Sequence, residues 1–345
     1  MKKINVFLKC FVFVGLLVMM GASAQAAMTL TGTGSTFAYP FYSVWFYDYA
    51  QQTGVQVNYQ ALGSGAGIEQ FSHKLVDFGA SDAYLSKAQM RKIQAKDHFQ
   101  VLHFPTAMGC VVLSYNVPGI PNKIKITPAI LAAMYMGKIK NWDNPALRRL
   151  NPGVHFPNLA ITCAHRADGS GTTNIFTNYL SKVSPAWRRK IGFGTAVDWP
   201  VGVGGKGNPG VAGLIQQIPG CIGYIEYAYS VENKLPYALL RNRSGFYPLP
   251  SIRSTIAAAA GALRHMPKDF RVMITNSWGK TAYPIAGMTW MLIASRYNPK
   301  VGAAIVRLLH WEYTVGEKKL AALNYTPLPP SLIRKVMAQI KEIHY

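Results

Sequence analysis

The sequence predicts an α/β protein, and three observations lead to that fold class. The chain has 345 residues, which is enough for about two domains of ordinary size. Half of the residues are hydrophobic and 14% are charged, a composition that favours a compact fold over a disordered chain. Short runs rich in β-branched and aromatic residues alternate with glycine-rich turns and helical patterns, as expected where strands and helices follow one another.

Hydrophobic periodicity predicts the elements of the first part of the chain. Alternating patterns are assigned to strands, and patterns that repeat with the helical period are assigned to helices. The predicted elements are, in order, a strand at 29–31, a helix at 37–52 ended by Gly54, a strand at 55–61, a short helix to about residue 74 and a strand at 76–80. The first two of these strands run into loops of small residues before the next helix begins.

The same patterns continue through the middle of the chain. Thr127 and Pro128 are residue types that begin helices, and the segment 200–210 is rich in glycine around Lys206. The predicted elements are a strand at 110–117, a helix from Thr127 to about residue 136, a strand at 159–163, a helix to about residue 180, a helix at 211–218 and a strand at 221–226.

The charge balance is strongly basic. Lys and Arg total 36 against 14 Asp and Glu, a formal net charge of +22, so a mechanism that needs paired carboxylates has few to draw on. The basic residues are spread thinly, and basic clusters interleaved with aromatic residues are absent from the sequence. A chain with few carboxylates has few to protonate, so we also expect it to lose little stability on acidification.

The N-terminus reads as a secretory signal. Its basic start is followed by an uncharged stretch at 10–20 and by Ala22-Ser23-Ala24-Gln25-Ala26-Ala27, the small residues of a cleavage site. The apolar stretch is too short for a membrane span, and Lys9 directly before Cys10 argues against a lipid anchor. We expect cleavage after Ala24, Ala26 or Ala27 and export of a mature chain whose net charge, with three lysines removed, is +19.

Three cysteines remain after this cleavage. Cys110, Cys163 and Cys221 lie more than 50 residues apart, and no C-x-x-C pair occurs. This pattern favours buried thiols that act as small hydrophobic residues, with one disulfide and a free thiol as the alternative. Neither a zinc site nor thiol catalysis is indicated.

Three loops share a design that suits an anion. In each, a predicted strand runs into small and hydroxyl-bearing residues and a helix follows at once: Gly34-Ser35-Thr36-Phe37, Gly63-Ser64-Gly65-Ala66-Gly67 and Asp168-Gly169-Ser170-Gly171-Thr172. Backbone N–H groups at a helix N-terminus lack partners, and the helix dipole adds partial positive charge. One such loop is typical of ordinary helix capping, but three in one chain, the last beside Arg166, indicate an oxyanion site. The nucleotide-binding patterns of Walker A and G-x-G-x-x-G are not completed.

Four segments carry a family resemblance. They are Thr31-Gly32-Thr33-Gly34-Ser35-Thr36-Phe37, Val76-Asp77-Phe78-Gly79-Ala80-Ser81-Asp82, Arg166-Ala167-Asp168-Gly169-Ser170-Gly171-Thr172 and Gly223-Tyr224-Ile225-Glu226-Tyr227-Ala228. In this order they resemble the periplasmic phosphate-binding protein of the bacterial phosphate-specific ABC transporter. The resemblance runs from about Leu30 to about Tyr325 and weakens around 245–278 and at the C-terminus.

The resemblance implies a fold and a domain organisation. The fold is an α/β, two-lobed periplasmic binding protein of the Venus-flytrap kind (type II), whose chain crosses the hinge twice. Residues 1–27 are the signal peptide, 28–108 together with 286–345 form the first lobe, and 109–285 form the second. The resemblance also implies a monomer in the periplasm, without cofactor or metal.

The resemblance further implies a phosphate site between the lobes. Its contacts fall on eight positions of this sequence: Thr36, Phe37, Ser64, Asp82, Arg166, Ser170, Gly171 and Thr172. Arg166 supplies a planar fork that matches two oxygens of a tetrahedral anion, and Asp168 is placed in a second shell behind it. Asp82 is a carboxylate aimed at an anion, which only a ligand that carries a proton tolerates.

These inferences predict an exported receptor that binds inorganic phosphate and delivers it to the permease and ATPase subunits of an ABC transporter. A receptor for another tetrahedral oxyanion such as sulfate is the alternative, and Asp82 argues against it. A phosphatase would use Ser170 as nucleophile with His165 or His103 as base, but the G-x-S-x-G spacing is missing. A binder of nucleic acid or of membrane surfaces would draw on the positive charge, but the sequence lacks the interleaved basic and aromatic clusters that favour it.

Overall fold

The structure is a computed structural model that describes residues 28–345. The predicted signal peptide lies outside the described residues. Within them, the strands are β1 Thr29–Gly34, β2 Gln56–Gln60, β3 Phe78–Ser81, β4 Val101–Asn116, β5 Lys125–Ile126, β6 Thr162–Arg166, β7 Val203–Gly205, β8 Cys221–Glu226, β9 Tyr237–Leu240 and β10 Ala286–Ala294. The α-helices are α1 Tyr39–Thr53, α2 Ser64–Ser72, α3 Lys87–Asp97, α4 Pro128–Tyr135, α5 Pro145–Leu150, α6 Gly171–Val183, α7 Pro185–Lys190, α8 Gly207–Gln217, α9 Tyr227–Glu232, α10 Ile252–Arg264, α11 Pro299–Thr314 and α12 Pro330–Gln339.

The strands follow the order β2-β1-β3-β10-β4-β8-β6-β7, and β9 and β5 join beside β4. In the first lobe β1 is parallel to β2 and β3. In the second lobe β6 is parallel to β7 and β8. Parallel strands bring their carboxyl ends to one edge of a sheet, and ligand sites of α/β folds form at such edges. The two-lobed α/β fold predicted from the sequence is therefore observed.

Strand β4 joins the two lobes. Its first part, up to Cys110, pairs with β10, and its second part, from Val111, pairs with β8. The returning chain passes beside it, because the N–H of Val111 donates to the carbonyl oxygen of Ile285 at 2.9 Å. The chain thus crosses between the lobes twice at neighbouring positions, as expected.

The first nine residues of β4 were missed by the sequence analysis, which began this strand at residue 110. Every residue of β4 except the last is buried, so no alternation of polar and apolar residues marks it. Pro105 and Thr106 also interrupt the apolar run. The register of β4 on β10 shifts at Thr289 and Trp290, where Thr106 is the extra residue, and a bulge of this kind accommodates a proline that cannot donate to the ladder.

Aromatic residues make up much of the core of both lobes. In the first lobe, Phe41 of α1 packs edge-on against Trp45 and Tyr325 at 4.9 and 4.8 Å between ring centroids. In the second, Phe176 of α6 stacks on Tyr224 of β8 at 4.2 Å. These contacts fix the helices that begin at the cleft against the strands that end there.

The cysteines are as predicted. Cys110, Cys163 and Cys221 are free and buried, and burial raises the pKa of each thiol to about 12. A thiol with so high a pKa is a poor nucleophile at neutral pH. In the described residues, no helix is both long and apolar enough to cross a membrane.

Candidate anion-binding site

The wall of the first lobe is built where β1 and β3 end. The N–H of Ser35 donates to the carbonyl oxygen of Ala80 at 2.9 Å, which ties the two strand ends together. Gly34 has a φ of +138°, a conformation that side chains disfavour, and any Cβ there would collide with the same carbonyl. This close approach turns the chain so that Thr36 and Asp82, both buried, face the second lobe.

The wall of the second lobe is built from the end of β6 and the start of α6. Ser170 is the N-cap of α6, and its Oγ accepts a hydrogen bond from the N–H of Thr173 at 3.0 Å. Gly171 and Thr172 occupy the first turn, where backbone N–H groups have no partner within the helix. The predicted loop at 168–172 is therefore a helix N-terminus directed at the cleft.

The two walls meet with little space between them. The N–H of Gly65 donates to the carbonyl oxygen of Gly169 at 2.8 Å. A Cβ added to Gly171 would lie 2.5 Å from both Asp82 Oδ2 and Ser64 Oγ. Only glycine fits there, and the structure is a closed form in which groups of both lobes surround one small volume.

Arg166 is the cation of this volume. Its side chain is 1% exposed, and it forms an ion pair with Asp168, whose side chain is 15% exposed. Arg166 Nε donates to Asp168 Oδ1 at 2.7 Å, Nη2 donates to Oδ2, and Nη1 reaches Thr172 Oγ1 at 3.4 Å. The carboxylate thus holds one edge of the guanidinium and leaves Nη1 directed at the N-terminus of α6.

Asp168 is held from two directions. Besides Arg166, the N–H of Gly207 donates to its Oδ1 at 2.9 Å. Burial raises the pKa of this carboxyl, but the hydrogen bonds and positive charge of Arg166 outweigh burial, so its pKa lies below the usual value. Asp168 is therefore ionised at neutral pH and positions the arginine.

Asp82 has the opposite environment. Burial raises its pKa to about 6, although the hydroxyl groups of Ser35, Thr289 and Ser64 and the charge of Arg166 act to lower it. Ser35 Oγ donates to Oδ1, and Ser64 Oγ lies 3.4 Å from Oδ2. At neutral pH the carboxylate is mostly ionised and can accept a proton-bearing group of a ligand.

The remaining predicted residues lie in the same place. Thr36 faces the second lobe, and Phe37 is buried next to it with its ring edge-on to Tyr325 at 6.0 Å. The structure therefore brings Thr36, Ser64, Asp82, Arg166, Ser170, Gly171 and Thr172 together between the lobes, with Asp168 behind Arg166 and Phe37 next to Thr36 in the chain.

The two histidines considered as bases for Ser170 point elsewhere. The His165 ring stacks on Trp199 at 4.8 Å, with its Nδ1 3.2 Å from the carbonyl oxygen of Arg166. His103 is buried, and its Nε2 accepts a hydrogen bond from the N–H of Leu85 at 3.1 Å. Ser170 Oγ is used as a helix cap, so these side chains do not form a nucleophile and base pair. Among residues 28–345, no three His, Cys, Asp or Glu side chains gather as metal ligands.

Two contributors to the cleft were missed by the sequence analysis. Ser35 lies in the first of the three predicted loops, but only Thr36 and Phe37 of that loop are predicted to contact the ligand. Asn208 is not among the predicted residues, although it bridges the lobes: its Nδ2 donates to Thr36 Oγ1 at 2.9 Å and to Thr172 Oγ1 at 3.1 Å. The available signal was the glycine-rich segment at 200–210, since Gly207 and Asn208 begin α8 directly after β7 and so form a fourth strand, loop and helix unit at the cleft.

Comparison with known proteins bears on this geometry. Residues 21–305 match the family described as a PBP superfamily domain. A phosphate-binding protein PstS of Xylella fastidiosa strain 9a5c is 41% identical over 319 residues, which cover 92% of this chain and 86% of the relative. The PstS of Pasteurella multocida is also 41% identical, with coverage of 93% and 92%. The chain belongs to the PstS family.

Solved structures agree on the fold. A high-affinity periplasmic phosphate-binding protein solved with bound phosphate aligns with a TM-score of 0.72 at 17% identity, covering 90% of this chain and 94% of the other. A phosphate-binding protein from Stenotrophomonas maltophilia aligns at 0.68 and 19%, covering 91% and 94%. At these identities the likeness shows the two-lobed fold, which this member of the PstS family shares.

Proposed function

We propose that this chain is a periplasmic receptor that binds inorganic phosphate between its lobes and delivers it to the permease of an ABC transporter. Membership in the PstS family and the phosphate-binding names of its relatives support the ligand. We further propose that it works as a monomer after removal of the signal peptide, and that it performs no catalysis.

One observation carries this proposal. The buried Arg166 of one lobe and the buried Asp82 of the other face the same small volume beside the N-terminus of α6. A cation, a helix N-terminus and several hydroxyl groups favour an anion, whereas a carboxylate in the same place repels one. Only an anion that also carries a proton satisfies both sides, and phosphate at neutral pH is such an anion.

Sulfate is the main alternative ligand, and the Asp82 carboxylate distinguishes phosphate from sulfate. Sulfate is fully deprotonated at neutral pH, so it would leave the Asp82 oxygens facing a negative oxygen in a closed site. A buried acceptor without a donor costs about 1–3 kcal/mol before any charge repulsion is added. Discrimination therefore comes mainly from rejection of the unprotonated anion.

We also propose where the lobes bend. We propose that the first lobe consists of residues 28–108 and 286–345 and the second of residues 109–285. With these bounds, both crossings between the lobes lie beside the hydrogen-bonded pair of Val111 and Ile285. Gly109 and Gly287 flank these crossings, and each lies against a side chain that rests on it, Phe37 and Ile175 respectively. We propose that these two neighbouring crossings form the hinge.

Calorimetric titration tests the proposed ligand. Protein lacking residues 1–27 is titrated with phosphate, with sulfate and with buffer at pH 7.5. We expect tight one-to-one binding of phosphate and at least about a hundredfold weaker binding of sulfate. This ratio follows if leaving the buried Asp82 carboxylate without a hydrogen-bond donor costs about 3 kcal/mol. Tight sulfate binding would assign the protein to the alternative ligand, and heat from neither anion would contradict the proposed function altogether.

A further inference from the structure

Two segments of the second lobe are fastened together at its surface, away from the residues of the cleft. The buried side chain of Asn242 donates from Nδ2 to the carbonyl oxygens of Gly279, Lys280 and Ala282, each at 3.0 Å. In return, the N–H of Gly279 donates to Ser244 Oγ at 3.0 Å. The segment after β9 and the segment before β10 therefore form one continuous surface.

This surface combines large apolar side chains with cations. Trp278, Leu249, Phe246 and Ile256 are 66%, 49%, 46% and 44% exposed. The Arg243 guanidinium lies 4.2 Å from the centre of the Trp278 ring, and Lys280 Nζ lies 5.7 Å from that of Phe246. We call it the basic aromatic patch, which consists of Arg241, Arg243, Phe246, Leu249, Arg253, Ile256, Trp278 and Lys280, all exposed.

The segments that build the patch carry no negative charge of their own. The sequence has no Asp or Glu in 233–268 or in 270–311. The prediction that basic clusters interleaved with aromatic residues are absent is therefore wrong for the folded chain. The cluster arises because Asn242 bonds to residues nearly forty positions further along the chain, so a scan of neighbouring residues does not detect it.

We propose that the basic aromatic patch binds the surface of an anionic phospholipid bilayer. Cations near an anionic bilayer are attracted to its phosphates, and Trp and Phe side chains settle at the boundary between headgroups and acyl chains. Protein–protein interfaces are enriched in arginine and aromatic residues, so these residue types alone do not favour a lipid surface over a protein. The four cations of the patch, in segments without any carboxylate, favour a surface of dense negative charge such as a layer of phospholipid headgroups.

Such binding has a consequence for transport. A receptor held at the membrane meets a membrane permease at a higher effective concentration than a receptor free in solution. The patch lies outside the phosphate site, so membrane binding and phosphate binding are separate properties. The protein can therefore bind membranes whether or not it binds phosphate, and each property is tested by its own measurement.

Vesicle sedimentation tests the proposal. Protein lacking residues 1–27 is mixed with vesicles of phosphatidylcholine alone, or of phosphatidylcholine and phosphatidylglycerol in equal amounts. Two double variants probe the patch: Phe246→Ser with Trp278→Ser, and Arg243→Gln with Lys280→Gln. Matched controls in the first lobe are Tyr47→Ser, whose ring is as exposed as that of Trp278 at 66%, and Arg334→Gln with Lys335→Gln, which removes the same charge from an exposed face of α12.

We expect binding to the anionic vesicles only, and a loss of about 25-fold in the partition coefficient when the two patch cations are removed, since each contributes about fivefold. Removing the two rings is expected to cost about tenfold or more, whereas both controls stay within about twofold of the parent. Phosphate titration of the same variants should be unchanged.

Three outcomes would overturn the proposal. Equal losses in the two charge variants would mean that net charge alone attracts the protein to vesicles. Unchanged binding in the ring variant would mean that the aromatic side chains do not enter the interface. Failure of the parent protein to bind anionic vesicles, with patch variants that still impair phosphate import by cells, would mean that the surface meets an acidic protein instead.

Discussion

At the scale of single residues, the cleft depends on two carboxylates with opposite tasks. Asp168 contacts the guanidinium of Arg166 and has a lowered pKa, so it remains ionised and fixes the arginine. Asp82 lies against hydroxyl groups and has a pKa raised to about 6 by burial. Environment rather than residue type decides which carboxylate positions a side chain and which reads the ligand.

Replacement of the buried cation tests the first of these roles. Arg166→Ala is expected to weaken phosphate binding by at least about tenfold, because a charge-assisted hydrogen bond contributes about 1.5–3 kcal/mol and Asp168 then faces the site unpaired. The measurement is phosphate calorimetry, with thermal unfolding to check the fold. Arg188→Ala, which removes an exposed arginine, is the matched control. An affinity close to that of the parent protein would contradict the assignment of Arg166.

Replacement of the proton-reading carboxylate tests the second role. Asp82→Asn removes the negative charge that rejects sulfate and supplies an amide donor in its place, so sulfate affinity should rise more than phosphate affinity changes. Competition titration of both anions at one pH and ionic strength measures the ratio. The same phosphate-to-sulfate ratio in the variant and the parent would show that another group provides the selectivity.

At the scale of elements, the sequence predicts those residues whose type alone favours one position in a helix or loop. Gly54 ends α1 in a left-handed conformation, and Thr127 with Pro128 begins α4, as their residue types indicate. Arg166 and the loops at α1, α2 and α6 were found because small and hydroxyl-bearing residues follow strands. The start of β4 and the role of Asn208 could not be found in this way, since the first depends on burial from both faces and the second on contacts between residues 172 positions apart.

Asn208 links elements of both lobes by hydrogen bonds, and we call this set of bonds the clasp. Its Nδ2 donates to Thr36 before α1 and to Thr172 in α6, while its Oδ1 accepts from the N–H of Glu226 at the end of β8 at 3.0 Å. Tyr229 adds a further link, because its hydroxyl donates to the carbonyl oxygen of Thr36 at 2.7 Å. These bonds join the lobes through protein atoms alone, so part of the free energy of closure does not come from a ligand.

Removal of the clasp is expected to loosen the closed form. Asn208→Ala loses the hydrogen bonds to Thr36 and Thr172, each of about 1 kcal/mol, so phosphate should dissociate about thirtyfold faster. Asn208→Asp, which keeps an acceptor for Glu226, should behave alike. Stopped-flow kinetics gives the dissociation rate, and X-ray scattering should show a larger radius of gyration for the ligand-free variants. Asn116→Ala, which loses a hydrogen bond within one lobe, serves as control, and equal rates in all four proteins would rule out the clasp.

At the scale of the whole molecule, the few carboxylates are distributed unusually. Glu226 and Glu312 are fully buried, and Glu317 is 5% exposed. Within the described residues neither oxygen of Glu312 has a hydrogen-bond partner, and Glu317 has one unpartnered oxygen. Burial raises the pKa of Glu226 and of Glu317 to about 8, and burial together with the nearby Glu317 raises that of Glu312 well above its usual value.

The last prediction concerns stability against pH, and its sign follows from these directions. In the folded chain Glu226 and Glu317 take up protons as the pH falls through about 8, and the pKa of Glu312 is raised in the same direction. In the unfolded chain all three stay ionised down to about 4.3. The contribution of these glutamates to stability is therefore greatest at low pH and decreases as the pH rises through their folded pKa values. His103 acts in the opposite direction, because burial lowers its pKa to about 3 and the unfolded chain binds its proton from about pH 6.5 downward. His165, also lowered by burial, adds to that opposition.

The three glutamates stabilise the folded chain on acidification and the two histidines destabilise it, so the free energy of unfolding should increase overall. The urea midpoint should therefore rise as the pH is lowered from 9 to 5. Between its two pKa values each glutamate changes the free energy of unfolding by about 1.4 kcal/mol per pH unit. Below about pH 4 the gain ends, because the ion pairs of Asp168 and Asp269, whose pKa values are lowered, are then lost. Glu312→Gln should flatten the slope between pH 5 and 8, and the exposed Glu232→Gln should not. A midpoint that is constant or increases with pH over this range would show that the buried glutamates do not set the stability, and the basic, acid-poor composition would then need another physical explanation.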